Sequence, residues 1–237
     1  MLKKTIPHIY ALGDQAITIE WSSIISEEVN NQVMHSFQFL QNHPIEGVTD
    51  LIPAYSSLTL IYNASIIRKQ AMGRSPFEWL KRKLAGLAEV SSEVTEKTEP
   101  FIVPVCYDPS LAPDLIEATQ LTGCTIEEII VLHTREIYTV YMLGFLPGFA
   151  YMASVNKKIQ MPRKANPRKL VAAGSVGIAG EQTGIYPLEA PGGWQLIGQT
   201  PLKIFDITKE KPCLFKPGNK VKFEAISLEQ FHQFNAD

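Results

Sequence analysis

Residues 141–152 read YMLGFLPGFAYM and residues 161–205 read MPRKANPRKLVAAGSVGIAGEQTGIYPLEAPGGWQLIGQTPLKIF. Nine of the 15 glycines of the chain lie between Gly144 and Gly198, where they alternate with aromatic residues, Gln, Thr and Ser. Because glycine loses more backbone entropy on folding than any other residue, this density indicates tight turns and closely approaching strands around a pocket. We therefore expect a binding site in this stretch rather than elsewhere in the chain.

The sequence before this stretch alternates strand and helix patterns. Strand patterns cover 15–21, 48–53 and 57–62, and helices are predicted to follow the cap residues Ser26 and Ser75. The second of these helices begins Ser-Pro-Phe-Glu, which fits a capping box with Pro at the first helical position. Strand, helix, hairpin and helix in this order predict a small two-layer α+β domain over residues 1–88.

A polar segment and a change of pattern follow this domain. Residues 89–100 (EVSSEVTEKTEP) have no apolar periodicity and are predicted to be a linker. From residue 101 to residue 237 the chain holds a strand at 101–107, two short helices near 114–121 and 125–133, and many short β segments separated by Gly and Pro. This pattern predicts a sandwich or a barrel, with Pro104 favouring an edge position or a bulge for its strand.

Composition limits the class of protein. The net charge of −2 argues against a non-specific nucleic-acid binder. Three widely spaced cysteines form no zinc motif and are predicted to be small, buried, apolar side chains in a reducing compartment. The start of the chain has no apolar signal core, because Pro7, His8 and Asp14 interrupt it, and the uncharged run at 137–155 is broken by Gly and Pro. We expect a cytoplasmic protein without a membrane span.

The candidate site residues are a basic cluster, a set of aromatic side chains, one glutamine and one histidine. Arg163 and Arg168, in a basic cluster with Lys164 and Lys169, would capture a carboxylate or phosphate, or would form a solvated loop. Aromatic side chains would wall a ligand cleft or simply form core; they are Phe145, Phe149, Tyr151, Tyr186 and Trp194. Gln182 would orient polar groups of the ligand. His133 ends a predicted helix, where a lone histidine is more often a structural hydrogen-bonder than a catalyst.

The loop glycines of the stretch invite a nucleotide interpretation. They are Gly174, Gly177, Gly180, Gly192 and Gly193. At residues 174–180 neither a Gly-Lys-Ser/Thr sequence nor the GxGxxG spacing is present, so a turn or bulge in a barrel wall is the better prediction there. The residues predict neither a metal site nor a catalytic triad, and the catalytic residues stay unassigned.

Several of these segments together resemble the signature of the allophanate hydrolase subunit 1 family. They are GFLPGFAY at 144–151, the pairs Pro162-Arg163 and Pro167-Arg168, GSVGIAGEQTGIYP at 174–187, PGGWQLIGQTP at 191–201 and the early Gly13-Asp14. The chain departs from the family pattern at Ala172, where many members have Pro. The resemblance covers nearly the whole chain.

The resemblance implies a ferredoxin-like α+β N-terminal domain followed by a mainly-β, cyclophilin-like barrel domain. It also implies one component of an ATP-dependent 5-oxoprolinase complex, a hydrolase that converts 5-oxo-L-proline to L-glutamate. The partners would be the A subunit of that complex and its C subunit, which has a related barrel, and ATP would be a co-substrate shared with them. An alternative implied by the same resemblance is an inhibitor that blocks autophosphorylation of a sporulation histidine kinase.

Overall fold

The computed structural model describes residues 7–87 and 99–234, and the chain separates into two compact units. Each unit has its own apolar core. The predicted linker at 89–100 lies almost entirely outside the described residues, so the predicted domain boundaries and the linker itself stay predictions.

The first unit is a four-stranded antiparallel sheet with three helices. Its strands pair in the order β1-β2-β4-β3. The elements are β1 (His8–Ala11), β2 (Ala16–Glu20), α1 (Glu27–Asn42), β3 (Val48–Pro53), β4 (Ser57–Tyr62), α2 (Ala64–Gln70) and α3 (Pro76–Leu84). Strands β2 and β3 are parallel to each other with β4 inserted between them, so β2, α1 and β3 form a split β-α-β unit.

Local sequence signals explain how these helices begin. The Ser26 side chain accepts a hydrogen bond from the backbone N–H of Val29 at the start of α1, and Ser75 accepts one from Glu78 at the start of α3. The predicted strands and the two predicted helices of this half are confirmed. Strand β1 and helix α2 were not predicted, and β1 supplies an edge strand ahead of the split unit. The ferredoxin-like assignment itself stays a prediction.

The second unit is built on a closed seven-stranded barrel. Its strands pair in the order β10-β7-β6-β13-β5-β12-β9, and β8 pairs with β11 in a separate ribbon. The strands are β5 (Phe101–Cys106), β6 (Ile137–Leu143), β7 (Ala150–Ala153), β8 (Arg168–Val171), β9 (Ser175–Ala179), β10 (Gln182–Ile185), β11 (Ala190–Gly192), β12 (Gln195–Gln199) and β13 (Lys220–Ile226). The helices are α4 (Leu115–Thr122), α5 (Ile126–Arg135) and α6 (Leu228–Phe234). The prediction of a barrel in this half is confirmed.

Strand β5 shows how a strand containing proline fits into a closed barrel. It runs parallel to β13 along its whole length, from Phe101 opposite Val221 to Cys106 opposite Ile226. On its other side β5 pairs with β12, where Cys106 lies opposite Gln199. Pro104 therefore lies in a part of the strand where its missing N–H breaks no registered pair with β12.

Helices α4 and α5 form a hairpin that packs on the barrel core. Leu115 and Ala118 of α4 and Ile129 of α5 are buried among the inward-facing strand residues. Helix α5 begins with a complete capping box, in which Thr125 and Glu128 each bond the backbone N–H of the other. All three cysteines are free thiols, but only Cys106 is buried; Cys124 and Cys213 are partly exposed, so the prediction of burial is wrong for these two. No helix in the described ranges, 7–87 and 99–234, has the length and apolar character that a membrane span requires.

Candidate functional site

Two glycines flatten the outer face of the barrel wall. Gly177 of β9 and Gly184 of β10 are paired across the sheet, while their neighbours Ile178 and Ile185 are buried in the barrel core. A Cβ at Gly177 would lie 3.0 Å from Trp194 Cβ, and a Cβ at Gly184 would lie 3.1 Å from Phe149 Cζ. The absence of these two side chains therefore lets the aromatic rings rest directly on the sheet.

An aromatic cluster covers this flat face, and Phe149 lies at its centre. The Phe149 ring centroid lies 4.7 Å from that of Tyr151, 5.2 Å from Tyr186 and 5.4 Å from Trp194. The last two contacts are edge-to-face, which is the favourable arrangement of ring quadrupoles. The structure thus brings the predicted aromatic residues together, largely as a buried satellite core on the outside of the barrel.

Phe145 extends this cluster to the surface. Its ring packs edge-on against the ring of Phe149, with the two ring centroids 5.7 Å apart, yet Phe145 is 61% exposed. Its backbone is left-handed, with φ at +67°, which is strained for a bulky residue. An exposed aromatic side chain on a strained backbone is a feature that local stability does not select for.

Arg163 is the cation that lies over the cluster. Its guanidinium carbon is 5.9 Å from the centre of the Trp194 ring, a cation–π contact. Burial raises the pKa values of the Tyr151 and Tyr186 hydroxyls, and the positive charge of Arg163 opposes both shifts. Among the described residues, no carboxylate lies within ion-pair distance of Arg163. Its charge is therefore available to an anionic ligand.

Arg168 also lies near Tyr186, but its guanidinium, unlike that of Arg163, has an acidic partner. Its guanidinium forms an ion pair with Asp114, a carboxylate that is 1% exposed. Lys164 Nζ lies 2.9 Å from the same carboxylate and 2.7 Å from Glu117, and Asp114 Oδ2 accepts a hydrogen bond of 2.7 Å from Leu196 N–H. Burial would raise the pKa of Asp114, but these hydrogen bonds together hold it below the usual value. The structure therefore gives Arg168 an acidic partner within the protein.

The loop glycines serve close packing and turns. A side chain at Gly192 would overlap the Tyr186 hydroxyl, and one at Gly174 would overlap the carbonyl oxygen of Thr200. Gly193 accepts a hydrogen bond of 2.7 Å from Lys164 N–H, and Gly180 turns the chain between β9 and β10 with φ at +59°. Residues 174–180 are barrel wall and turn, as the sequence predicted, whereas Gly192 lies in β11 of the separate ribbon.

His133 lies inside the barrel core, which corrects its expected place in the pocket. The side chain is fully buried, and burial lowers its pKa to about 3. Its Nδ1 lies 2.7 Å from Tyr107 Oη, and its Nε2 lies 2.9 Å from Thr183 Oγ1. Because Thr183 donates its proton to the Gly177 carbonyl, Nε2 carries the imidazole proton and Tyr107 donates to Nδ1. His133 is thus a neutral structural hydrogen-bonder.

Gln182 lies on the outer face of β10, two residues before Gly184, and its side chain is half-exposed.

Two cavities of about 360 Å³ lie outside this region. One lies between α1 and β3 in the first unit, and the other is lined by lysines at residues 203–216 of the second. Sequence reasoning missed the lysine-lined cavity, although the spacing of lysines after Phe205 was a visible signal.

Comparison with known proteins gives consistent matches over most of the chain. A family model described as "Carboxyltransferase domain, subdomain C and D" matches residues 7–215. A protein of Haemophilus influenzae that is named as the B subunit of 5-oxoprolinase is 46% identical over 94% of this chain and 99% of its own length. A protein of the same name from Bacillus subtilis is 40% identical over 97% of both chains.

A solved structure supports the fold. The crystal structure of TTHA0988 superposes with a TM-score of 0.77 at 34% identity and covers 90% of this chain. This chain spans only 40% of the length of that protein.

Proposed function

Because the chain belongs to the carboxyltransferase domain, subdomain C and D family, we propose that it is the B subunit of an ATP-dependent 5-oxoprolinase that converts 5-oxo-L-proline to L-glutamate. The observation that carries this proposal is the end-to-end similarity to proteins named as 5-oxoprolinase B subunits, at up to 46% identity. The letter in that name implies other subunits, and we infer that these are the A and C subunits of the same complex.

The chemistry of the reaction fits a shared active site. A lactam carbonyl is a poor electrophile, and transfer of the γ-phosphoryl group of ATP to its oxygen would give water a better target. The described residues include no catalytic triad, and the sequence has no standard nucleotide loop. We infer that this chain contributes binding groups and that the complete catalytic site requires the partner subunits.

The binding group that the geometry favours is Arg163 at the surface of the aromatic cluster. The carboxylate of 5-oxoproline is an anion on a small, partly apolar ring. A guanidinium without an acidic partner among the described residues, placed over Trp194 and near Tyr151, offers such a ligand both a charge and an apolar wall. Phe145 and Gln182 would border the same ligand. Arg168 would hold this region in place through Asp114.

The test is ATP-dependent glutamate formation by the assembled complex and by the chain alone. We expect activity with all three subunits and none with this chain by itself. In the complex, loss of the charge-assisted contact in Arg163→Ala should cost roughly 1.5–3 kcal/mol of substrate binding, raising KM more than it lowers kcat. Arg135→Ala, which removes an exposed arginine of the same unit, is the matched control. Unchanged KM for 5-oxoproline in Arg163→Ala would remove this arginine from the site.

Finer features of the assignment are part of the same proposal. The barrel would be cyclophilin-like, and the first unit would be a ferredoxin-like domain whose fourth sheet position is filled by the N-terminal strand β1. ATP would be the co-substrate. The alternative, inhibition of a sporulation histidine kinase, stays a prediction, and retention of full 5-oxoprolinase activity by the complex would not exclude it.

A further inference from the structure

A lysine-lined cavity lies in the second unit, among residues that the aromatic cluster does not include. It has a volume of about 360 Å³, within the range of small-molecule sites. Its lining residues are Phe101, Lys203, Asp206, Lys209, Lys211, Cys213, Leu214, Lys216 and Asn219. Four lysines and one aspartate give the lining a net charge of three positive, in a chain whose net charge is −2.

Three segments of fixed structure build the cavity. The chain around Phe205 pairs with the chain around Cys213, through hydrogen bonds from Asp206 N–H to the Pro212 carbonyl (2.8 Å) and from Leu214 N–H to the Ile204 carbonyl (2.9 Å). This pairing holds a loop that carries Lys209 and Lys211. The start of β5 and the turn before β13 complete the walls, so the lysines surround a concave space and do not merely share a flat surface.

The charges in the cavity are only partly compensated. Lys203 Nζ lies 3.1 Å from Asp206 Oδ2, and Thr208 donates two hydrogen bonds to Asp206 Oδ1. Within the described ranges, Lys209, Lys211 and Lys216 have no carboxylate at ion-pair distance. Like charges held together repel one another, so an anion in this cavity would remove an unfavourable interaction as well as form a favourable one.

The cavity also has an apolar wall. The Phe101 ring is 43% exposed and is held edge-on by Phe215, with ring centroids 5.8 Å apart. A ring fixed in this way can stack against a planar heterocycle. Lysines beside an exposed aromatic ring are the pairing that suits a nucleotide, because lysine binds phosphate as a point charge and an aromatic face binds the base.

We propose that this cavity binds the polyphosphate group of a nucleoside triphosphate, with Lys209, Lys211 and Lys216 on the phosphates and Phe101 against the base. The choice of a nucleotide over a free polyphosphate rests on the function proposed above. The polyphosphate chemistry rests on the cavity alone. Such a site would let the chain bind a nucleotide without a standard phosphate loop.

The first experiment measures binding by calorimetry with the full chain, and the probes are inorganic tripolyphosphate and ATP. Loss of two charge-assisted contacts in Lys209→Ala/Lys211→Ala should weaken tripolyphosphate binding by at least about tenfold. The control is Lys157→Ala/Lys158→Ala, which removes two exposed lysines elsewhere in the unit and should change affinity less than about twofold. Absence of tripolyphosphate binding by the wild type, or equal affinity of the Lys209/Lys211 variant, overturns the proposal.

Two further arms identify the ligand. Phe101→Leu should lower the affinity for ATP to that for tripolyphosphate without changing the latter; an unchanged preference for ATP overturns the role of the ring.

If the Lys209/Lys211 variant keeps tripolyphosphate binding but no longer assembles with the other subunits, the lysines contact an acidic protein surface and the proposal is wrong. A wild-type complex without 5-oxoprolinase activity rejects the proposed function, whereas tripolyphosphate binding by this chain is measured independently of it.

Discussion

At the scale of single residues, the contact between Gly192 and Tyr186 gives a sharp test of packing on the barrel wall. Because a methyl group at Gly192 would overlap the Tyr186 hydroxyl, Gly192→Ala should destabilise the protein by about 1–3 kcal/mol. Tyr186→Phe removes the overlapping oxygen, so the double variant should lose less stability than the sum of the single variants, as measured by chemical denaturation.

Gly180→Ala is the matched control, since its left-handed backbone is strained by a side chain but nothing lies within 4 Å of the added Cβ. Its effect should add to that of Tyr186→Phe. Additive effects of Gly192→Ala and Tyr186→Phe as well would show that the hydroxyl does not oppose the added methyl group, which also lies 2.7 Å from Tyr186 Cε1 and Cζ.

His133 gives a pH-dependent prediction at the same scale. The unfolded chain protonates this ring near pH 6.5, whereas the folded protein does so only near pH 3. Between these values the unfolded state binds more protons, so the free energy of unfolding should fall as pH falls, by at most about 1.4 kcal/mol per pH unit. His133→Gln should remove this part of the slope between pH 6 and pH 4.

His232→Gln, which removes an exposed histidine and no buried hydrogen bond, is the control for the substitution itself. The comparison uses slopes and not absolute stabilities, since His133→Gln also disturbs the bonds to Tyr107 and Thr183. Parallel pH profiles of wild type and His133→Gln would mean that the ring titrates normally in the folded protein.

At the scale of elements, Asp114 ties helix α4 to barrel strand β12 and to the chain around β8 in the separate ribbon. It precedes α4, accepts from Leu196 N–H in β12, and pairs with Lys164 and Arg168 around β8. Asp114→Asn leaves the partly buried Arg168 without its acid and leaves Lys164 with Glu117 alone, so we expect a loss of about 3–5 kcal/mol in the free energy of unfolding.

Glu117→Gln removes the other acidic partner of Lys164, which lies at the surface. Glu117 is 48% exposed, and breaking its pair with Lys164 should cost less than about 1 kcal/mol. Thermal or chemical denaturation of both variants measures the contrast. Similar losses of unfolding free energy in Asp114→Asn and Glu117→Gln would show that burial of Asp114 does not determine how much it stabilises the protein.

These elements also show what the sequence could and could not predict. The starts of α3 and α5 were predictable, because the capping residues Ser75 and Thr125 act on backbone groups three residues away. Helix α2 was missed because seven residues carry too little periodicity. The aromatic cluster was predicted as a set, with core as the alternative to a cleft wall, and the structure buries most of it. The pairing of Arg168 with Asp114 joins residues 54 positions apart, and only the folded barrel brings them together.

At the scale of the whole molecule, the two units have separate cores. The core of the first unit contains residues such as Leu58 and Leu80, and that of the second contains residues such as Val105 and Phe223. Since each core is complete within its unit, we expect limited proteolysis to cut near the polar segment 89–100 and to leave two folded fragments. Circular dichroism and size-exclusion chromatography of the separated fragments measure this, and an unfolded fragment on either side contradicts it.

The pairing of β5 with β13 has a consequence for biosynthesis. The first strand of the barrel to leave the ribosome has its long partner at the other end of the unit, and β13 also separates β5 from β6. Until residues 220–226 emerge, β5 and β6 are open edges on a nascent barrel, and such edges recruit strands from other chains. A transcript truncated shortly before codon 220 should therefore yield an aggregating product rather than a slightly shorter barrel.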